Sequence, residues 1–312
     1  MKNAMQNKNA SLTALPANKN RQIPRPFLKW AGGKSSILNH LISYVPQQFH
    51  TYYEPFLGGG ALFFGLYRLG RIHQATLADI NKELIETYQI IQQNVEAVIQ
   101  LLDQYPYDKV FYYQLREKAP EALPPAERAA RMIYLNKTGY NGLYRVNKKG
   151  KFNVPFGRYK SPNYKDFDNL RAVSQALQKV TLRIANFEET ITSAQKGDFV
   201  YFDPPYDPVS ETAYFTHYHS NGFGKNDQER LAQTFWDLTA KGVYVMLSNS
   251  DTPFIRALYE GAYIQEILAP RFINSKANRR TGHQELLIMN YPPVEAGKLL
   301  EPTVAYGSKE TS

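Results

Sequence analysis

The chain contains no cysteine. Disulfides, thiolate metal sites and cysteine nucleophiles are therefore excluded. No apolar run approaches the roughly 18 residues that a membrane-spanning helix needs. The N-terminus also lacks the apolar core of a secretory signal. A soluble cytoplasmic protein without membrane contact is the expectation. A third absence is local: from Lys137 to Lys160 there is no acidic residue. That stretch carries Lys137, Arg145, Lys148, Lys149, Lys151, Arg158 and Lys160, interleaved with tyrosine, asparagine and glycine. Lys and Arg neutralise phosphates, Arg and Asn read base edges, and Tyr stacks or wedges between bases. A solvated basic loop is the plainer alternative. The missing acids favour nucleic acid.

What is present agrees in kind. The 312 residues allow one large domain or two modest ones, and 43% of them are hydrophobic, enough for a sizeable core. The net charge of +9 and pI near 9.3 suit a polyanionic partner. The 23 tyrosines and 17 phenylalanines suit base stacking, and equally an ordinary core.

The chemistry centres on Asp203-Pro204-Pro205-Tyr206. It follows Phe199-Val200-Tyr201-Phe202, an apolar run that reads as a buried strand. The carboxylate then stands at the carboxyl end of a sheet strand, where open α/β sheets bind ligands. Two prolines stiffen the loop and remove N–H donors. A carboxylate, free carbonyls and an aromatic ring suit a flat substrate with an amino group. A polar turn after a strand is the alternative.

Earlier in the chain, Thr51 to Phe56 predicts a strand, Leu57-Gly58-Gly59-Gly60 a tight turn, and Ala61 to Tyr67 a helix. This is the opening unit of a nucleotide-binding fold. The spacing is Phe56, Gly58, Gly60, with Phe63 where a dinucleotide fingerprint needs a small residue. Ala75 to Asp79 predicts a second strand. Asp79 lies about 20 residues past the glycines, the spacing of an acid that meets ribose hydroxyls. A helix cap at Asp79, Asn81 or both is the alternative. Near the N-terminus, Trp30-Ala31-Gly32-Gly33-Lys34-Ser35 lacks the first glycine of a phosphate loop, since Leu28 stands there. It predicts either a turn capped by Ser35 before a helix, or a lid bringing Trp30 and Lys34 to a ligand.

Residues 82–135 predict helices punctuated by prolines. Strands are expected at Val180–Ile184, Asp198–Phe202 and Val243–Ser248, with a hairpin from residues 262–268 and 284–290. Asp227 to Ala240 predicts a helix. Arg271 to Arg280 is a second basic stretch.

Taken together, these segments resemble the Dam-type, α-group DNA adenine-N6 methyltransferases from about Pro26 to Tyr291. Phe27 to Lys34 looks like the family's lid motif, and Glu54 to Gly60 like its first cofactor motif. Asn141-Gly142-Leu143-Tyr144-Arg145 with Asn153-Val154-Pro155-Phe156-Gly157 looks like its target-recognition segment. Asp203 to Tyr206 looks like its catalytic motif. The resemblance implies an α/β fold: a Rossmann-like class I S-adenosylmethionine-dependent methyltransferase sheet with an inserted, mainly helical target-recognition domain. The division expected is a disordered tail at 1–22, a catalytic domain at 23–81 and 180–292, the insertion at 82–179 and a flexible tail at 293–312.

The implied cofactor is S-adenosyl-L-methionine, with contacts at Trp30, Lys34, Phe56, Gly58, Gly60, Asp79, Phe187 and Asp203. The implied catalytic set is Asp203, Pro204, Pro205 and Tyr206. Lys29, Tyr140, Asn141, Leu143, Arg145 and Pro155 are the implied DNA contacts, Arg145 reading a guanine of 5′-GATC-3′. The partner implied is double-stranded DNA, met by a monomer. A restriction endonuclease enters only as a functional partner, in a bacterial cytoplasm or from a phage. Without cysteine, cytosine-C5 methylation is ruled out. RNA, cytosine N4, a protein amide, or DNA binding without catalysis are the competing readings.

Overall fold

The computed structural model describes residues 23–209, 222–269 and 283–293. The expected tail at 1–22, all but the first residue of the tail expected at 293–312, and the basic stretch Arg271 to Arg280 lie outside these residues.

Alternation along the strands builds two cores. Strand β4 (Phe199–Phe202) is buried throughout. Its Phe199 and Tyr201 join one apolar cluster, and Val200 and Phe202 the other. Period-two alternation puts successive side chains on opposite sheet faces, so the sheet is covered on both. One face carries α1 (Leu38–Tyr44), α2 (Ala61–Arg68) and α3 (Lys82–Gln104). The other carries Leu231, Phe235 and Leu238 of α8 (Lys225–Ala240) and Ile255 of α9 (Pro253–Leu258).

The remaining strands are β1 (Thr51–Glu54), β2 (Gln74–Asp79), β3 (Val180–Ile184), β5 (Tyr244–Ser250), β6 (Tyr263–Ala269) and β7 (His283–Met289). The sheet order is β3-β2-β1-β4-β5-β7-β6. β7 runs antiparallel to both neighbours, and the pairings of β1 to β5 are all parallel. The chain winds outward from β1 through β2 to β3, then returns to β4 and winds the other way. The switch point therefore lies between β1 and β4, where Tyr52 pairs with Phe199. A crevice at the carboxyl ends of those two strands is where such a sheet binds ligands. Glu54 and Asp203 stand there.

Helices α3, α4 (Lys109–Glu117), α5 (Pro125–Thr138) and α6 (Phe167–Leu177) all fall between β2 and β3 in the chain. α3 packs on α5 and α6, and α4 packs on α5. Asn94 interrupts α3 with φ −151° and ψ 61°.

Three local expectations are corrected. Ser35 does not cap α1; a short 3-10 turn at Lys34–Ser36 intervenes, with Lys34 buried in it. β1 stops at Glu54 rather than Phe56, because Pro55 has no N–H to continue the ladder. β4 starts at Phe199, since Asp198 turns its carboxylate to the N–H groups of Thr51 (2.9 Å) and Gln195 (2.8 Å).

Candidate active site

Asp203 follows β4 directly, and its Oδ1 lies 2.9 Å from Lys34 Nζ. The same ammonium donates to the Gly32 carbonyl at 2.7 Å and sits 4.8 Å from the centre of the Tyr206 ring. The lid and the Pro-Pro-Tyr loop thus meet through one lysine. That lysine is committed to a carboxylate, which is no arrangement for a phosphate loop. Burial raises the Asp203 carboxyl above its usual range; the Lys34 ammonium opposes this, and Glu285 adds to it. Tyr206 donates its hydroxyl to Glu285 Oε2 at 2.9 Å.

The loop after Asp203 is held from β5 and α8. Gln228 Nε2 donates to the Pro205 carbonyl at 2.9 Å, and Asn249 Nδ2 to Gln228 Oε1 at 3.0 Å. Asn249 Oδ1 accepts from the Asp207 N–H at 3.1 Å. Thr252 donates to the Asp207 carboxylate at 2.7 Å. Proline rigidity and this network together fix where the loop after β4 presents its acceptors.

The glycine turn forms the second wall. Gly58 and Gly60 take φ +47° and +66°, which glycine adopts at no steric cost. Gly58 N–H donates to Asp79 Oδ2 at 3.1 Å, and Asn81 N–H to Asp79 Oδ1 at 2.9 Å. Asn81 caps α3 by accepting from Leu84 N–H at 3.0 Å. The two acids-or-caps offered by the sequence have therefore divided their roles: Asn81 caps, and Asp79 faces the glycines. Burial raises the Asp79 carboxyl, and the backbone N–H groups pull it back. Trp30 overlies the turn so closely that a Cβ at Gly58 would stand 2.7 Å from its Cδ1. Phe56 stacks on Phe187, centroids 5.8 Å apart at 25°, with Phe202 and Phe223 against both. Asn186 caps the short helix α7 (Phe187–Thr190) that carries Phe187.

Glu54 is the acid that sequence reasoning passed over, although it opens the first motif. It is buried at the end of β1 and accepts the Tyr52 hydroxyl at 2.8 Å. Burial pushes its carboxyl up to about 8; the Tyr52 bond opposes that and the nearby Asp203 adds to it. Glu285, Gln228 and Asn249 were also missed. Asn249 and Glu285 signalled only as polar residues inside apolar strands, and Gln228 as a buried polar residue on α8.

The basic segment is a hairpin. Isolated bridges join Gly139 to Phe156 and Val146 to Phe152. Asn147 Oδ1 closes the tip by accepting from Lys149 and Lys151 N–H. Arg145 Nε donates to Asn153 Oδ1 at 2.7 Å across the hairpin. Tyr140 is 51% exposed, Asn141 is exposed with φ +55°, and Pro155 is exposed with its carbonyl bonded to Tyr140 N–H. Leu143 is half-buried. Lys29 Nζ lies 5.2 Å from the Tyr159 ring centre, and its stem covers Gly142. The six expected DNA contacts therefore gather around one hairpin base.

Asn136 on α5 joins that base to the lid. It accepts from Lys29 N–H and donates to the Lys29 and Gly142 carbonyls, at 2.8, 2.8 and 3.1 Å. Trp30 stacks on Tyr144 at 5.2 Å and 25°. Sequence reasoning singled out neither Asn136 nor the role of Tyr144.

A sheet with this strand order, a glycine turn after β1, an acid at the end of β2 and Asp-Pro-Pro-Tyr after β4 define a Rossmann-like methyltransferase fold. The chain belongs to the D12 class of N6 adenine-specific DNA methyltransferases, whose family model matches residues 30–272. It is similar to the type II methyltransferase M1.LlaDCHI of Lactococcus lactis subsp. cremoris, 42% identical with 88% of this chain and 98% of the relative covered. The type II methyltransferase M.MjaIII of Methanocaldococcus jannaschii is 41% identical over 86% of this chain and 99% of its own. The DNA adenine methylase of Salmonella typhi is 36% identical over 86% and 96%. The protein is a Dam-type DNA adenine methyltransferase, and its substrate is DNA. Among the described residues no helix is long and apolar enough to cross a membrane.

Proposed function

We propose that the protein transfers a methyl group from S-adenosylmethionine to N6 of an adenine flipped out of duplex DNA, within 5′-GATC-3′. The observation that carries this reading is the meeting of Lys34, Asp203 and Tyr206 at the carboxyl end of β4.

The side chains at the switch point fit the cofactor. Asp79 is a carboxylate suited to ribose hydroxyls, and Phe56 and Phe187 are flat apolar surfaces suited to adenine. Glu54 and Asp203 place acidic groups near a cationic ligand, and Trp30, Lys34, Gly58 and Gly60 form the turn and its cover. Bound there, S-adenosylmethionine supplies an electrophilic sulfonium methyl.

The chain's own residues do the rest. Asp203 accepts a hydrogen bond from the N6 amine, whose lone pair is otherwise drawn into the ring. A pyramidal nitrogen and the positive charge growing on it are then stabilised by a preorganised acceptor. Lys34 helps keep that acceptor ionised. Pro204 and Pro205 hold the loop rigid, so little reorganisation is needed. Tyr206 stacks on the extruded base and offsets part of the few kcal/mol that flipping costs.

Residues 82–179 act as the target-recognition unit, inserted in a catalytic domain of 23–81 and 180–292. Arg145, aligned by Asn153, reads a guanine edge, with Lys29, Tyr140, Asn141, Leu143 and Pro155 around it. The protein acts as a monomer in the cytoplasm. The type II names of two relatives support a functional place beside a restriction endonuclease.

The test is methylation mapping in a host that lacks adenine methylation. Uniform N6-methyladenine at GATC is expected, and Asp203→Ala should lower transfer by about 10²–10³-fold or more. Methyladenine at another motif discards the assigned target. Label on RNA or protein but not on DNA discards the whole reading.

A further inference from the structure

The lid over the cofactor turn and the hairpin that meets DNA share a wall. Trp30 covers Gly58 on one side and stacks on Tyr144 on the other. Tyr144 adjoins Arg145 in sequence, so the lid rests on the residue next to the base reader. The Tyr144 ring is itself anchored. Its hydroxyl donates to Glu83 Oε2 at 3.0 Å, and Glu83 Oε1 accepts from Arg131 Nη1 at 2.9 Å. Arg131 is buried and also donates to the Leu115 and Arg116 carbonyls. A second strut runs parallel. Asn136 is fully buried and spends its amide on the backbone of Lys29, in the lid, and of Gly142, in the hairpin base. Gly142 admits no side chain, because a Cβ there would strike the Lys29 stem.

From this geometry we propose that Tyr144 and Asn136 are positioning residues that couple DNA reading to closure of the cofactor lid. Hairpin movement at a target sequence is passed through the Tyr144 ring to Trp30, and along the lid to Lys34 and Asp203. In this role neither residue takes part in the chemistry itself; each acts through Trp30, Lys29 or Gly142. The proposal rests on the assignment of Trp30 to the cofactor and Arg145 to DNA made above.

Coupling of this kind is reciprocal. If a target duplex strengthens cofactor binding by a factor α, the cofactor strengthens duplex binding by the same α. The experiment measures α by calorimetry with S-adenosylhomocysteine, an unreactive probe, and a GATC duplex. It uses the full chain and its Tyr144→Phe and Tyr144→Leu variants. For the wild type, α is expected at about five or more, within the usual range of coupling. Tyr144→Phe keeps the stack and should keep most of it. Tyr144→Leu removes the stack and should bring α to within about twofold of one. A merely structural role would lower both affinities and leave α unchanged.

A second readout does not need the Tyr144 variants. The chain has two tryptophans, Trp30 and Trp236. In Trp236→Phe, emission from Trp30 should change when the GATC duplex is added without cofactor. A wild-type α of one, an unchanged α in Tyr144→Leu, or a silent Trp30 overturns the coupling. Failure of the wild type to bind S-adenosylhomocysteine at all overturns the underlying assignment instead.

Discussion

Two carboxyl groups meet at the switch point, and their surroundings differ. Asp203 has an ammonium beside it; Glu54 has the Tyr52 hydroxyl and the Phe63 backbone N–H, with the field of Asp203 against it. The Glu54 carboxyl accordingly loses its proton near pH 8 in the folded protein, against about 4.5 for an ordinary glutamate. Between those values the unfolded chain releases a proton that the native state keeps. Stability therefore falls as pH rises across that window, and is unaffected by this group below it. At roughly 1.4 kcal/mol per pH unit the effect is on the order of a few kcal/mol by pH 8. Glu54→Gln removes the titration and keeps the shape. Its melting temperature should exceed that of the wild type by a margin that grows from pH 5 to pH 8. A margin independent of pH would show that Glu54 is ionised throughout. Among residues, Asp203, Lys34 and Asp79 were legible because each sits in a short local motif. Glu285, Asn249 and Asn136 were not. Each acts on a partner far away in sequence or merely holds backbone, and neither task leaves a local mark.

At the scale of elements, the glycine turn binds several functions to one backbone conformation. Gly58 needs φ +47°, its N–H serves Asp79, and its missing side chain makes room for Trp30. We predict that Gly58→Ala loses on both counts. The left-handed conformation costs about 1–2 kcal/mol, and the methyl group drives Trp30 off the turn. Cofactor affinity should fall at least tenfold while the far-ultraviolet spectrum stays native; undiminished affinity would remove Trp30 from the site. The strands were legible because buried β-branched and aromatic runs have few other uses. The hairpin was legible only as a basic, aromatic-rich segment. Its tyrosines looked like stacking surfaces for bases, yet Tyr159 holds its backbone, and two tyrosines from outside the hairpin do the same. Tyr112 donates to the Val154 carbonyl, Tyr107 to Gly157 and Tyr159 to Gly139. A hydroxyl that bonds a carbonyl and a ring that stacks on a base are the same residue in a sequence.

At the scale of the molecule, the parts differ in how far apart their partners lie. Helices α3, α4 and α5 pack together within residues 82–138. The sheet closes only when β1 finds β4; Thr51 and the Asp198 carboxylate that holds it are 147 residues apart. Distant parallel pairing must meet its loop-closure cost before it gains any contact, and is slow. In pulsed hydrogen exchange during refolding, amides of α4 and α5 should be protected before those of β1 and β4. A single phase common to all four elements would contradict this.

The switch point between β1 and β4 thus has a consequence in time as well as in space. On the ribosome, a nascent chain that has reached α6 already holds the hairpin and the helices that brace it. It lacks the Asp-Pro-Pro-Tyr loop, because residues 203–206 are still to be made, and β1 has no partner on one side. The part proposed to grip DNA is born first, and the part proposed to modify it is completed last. Until then the emerging protein carries its basic hairpin without the loop assigned to the chemistry.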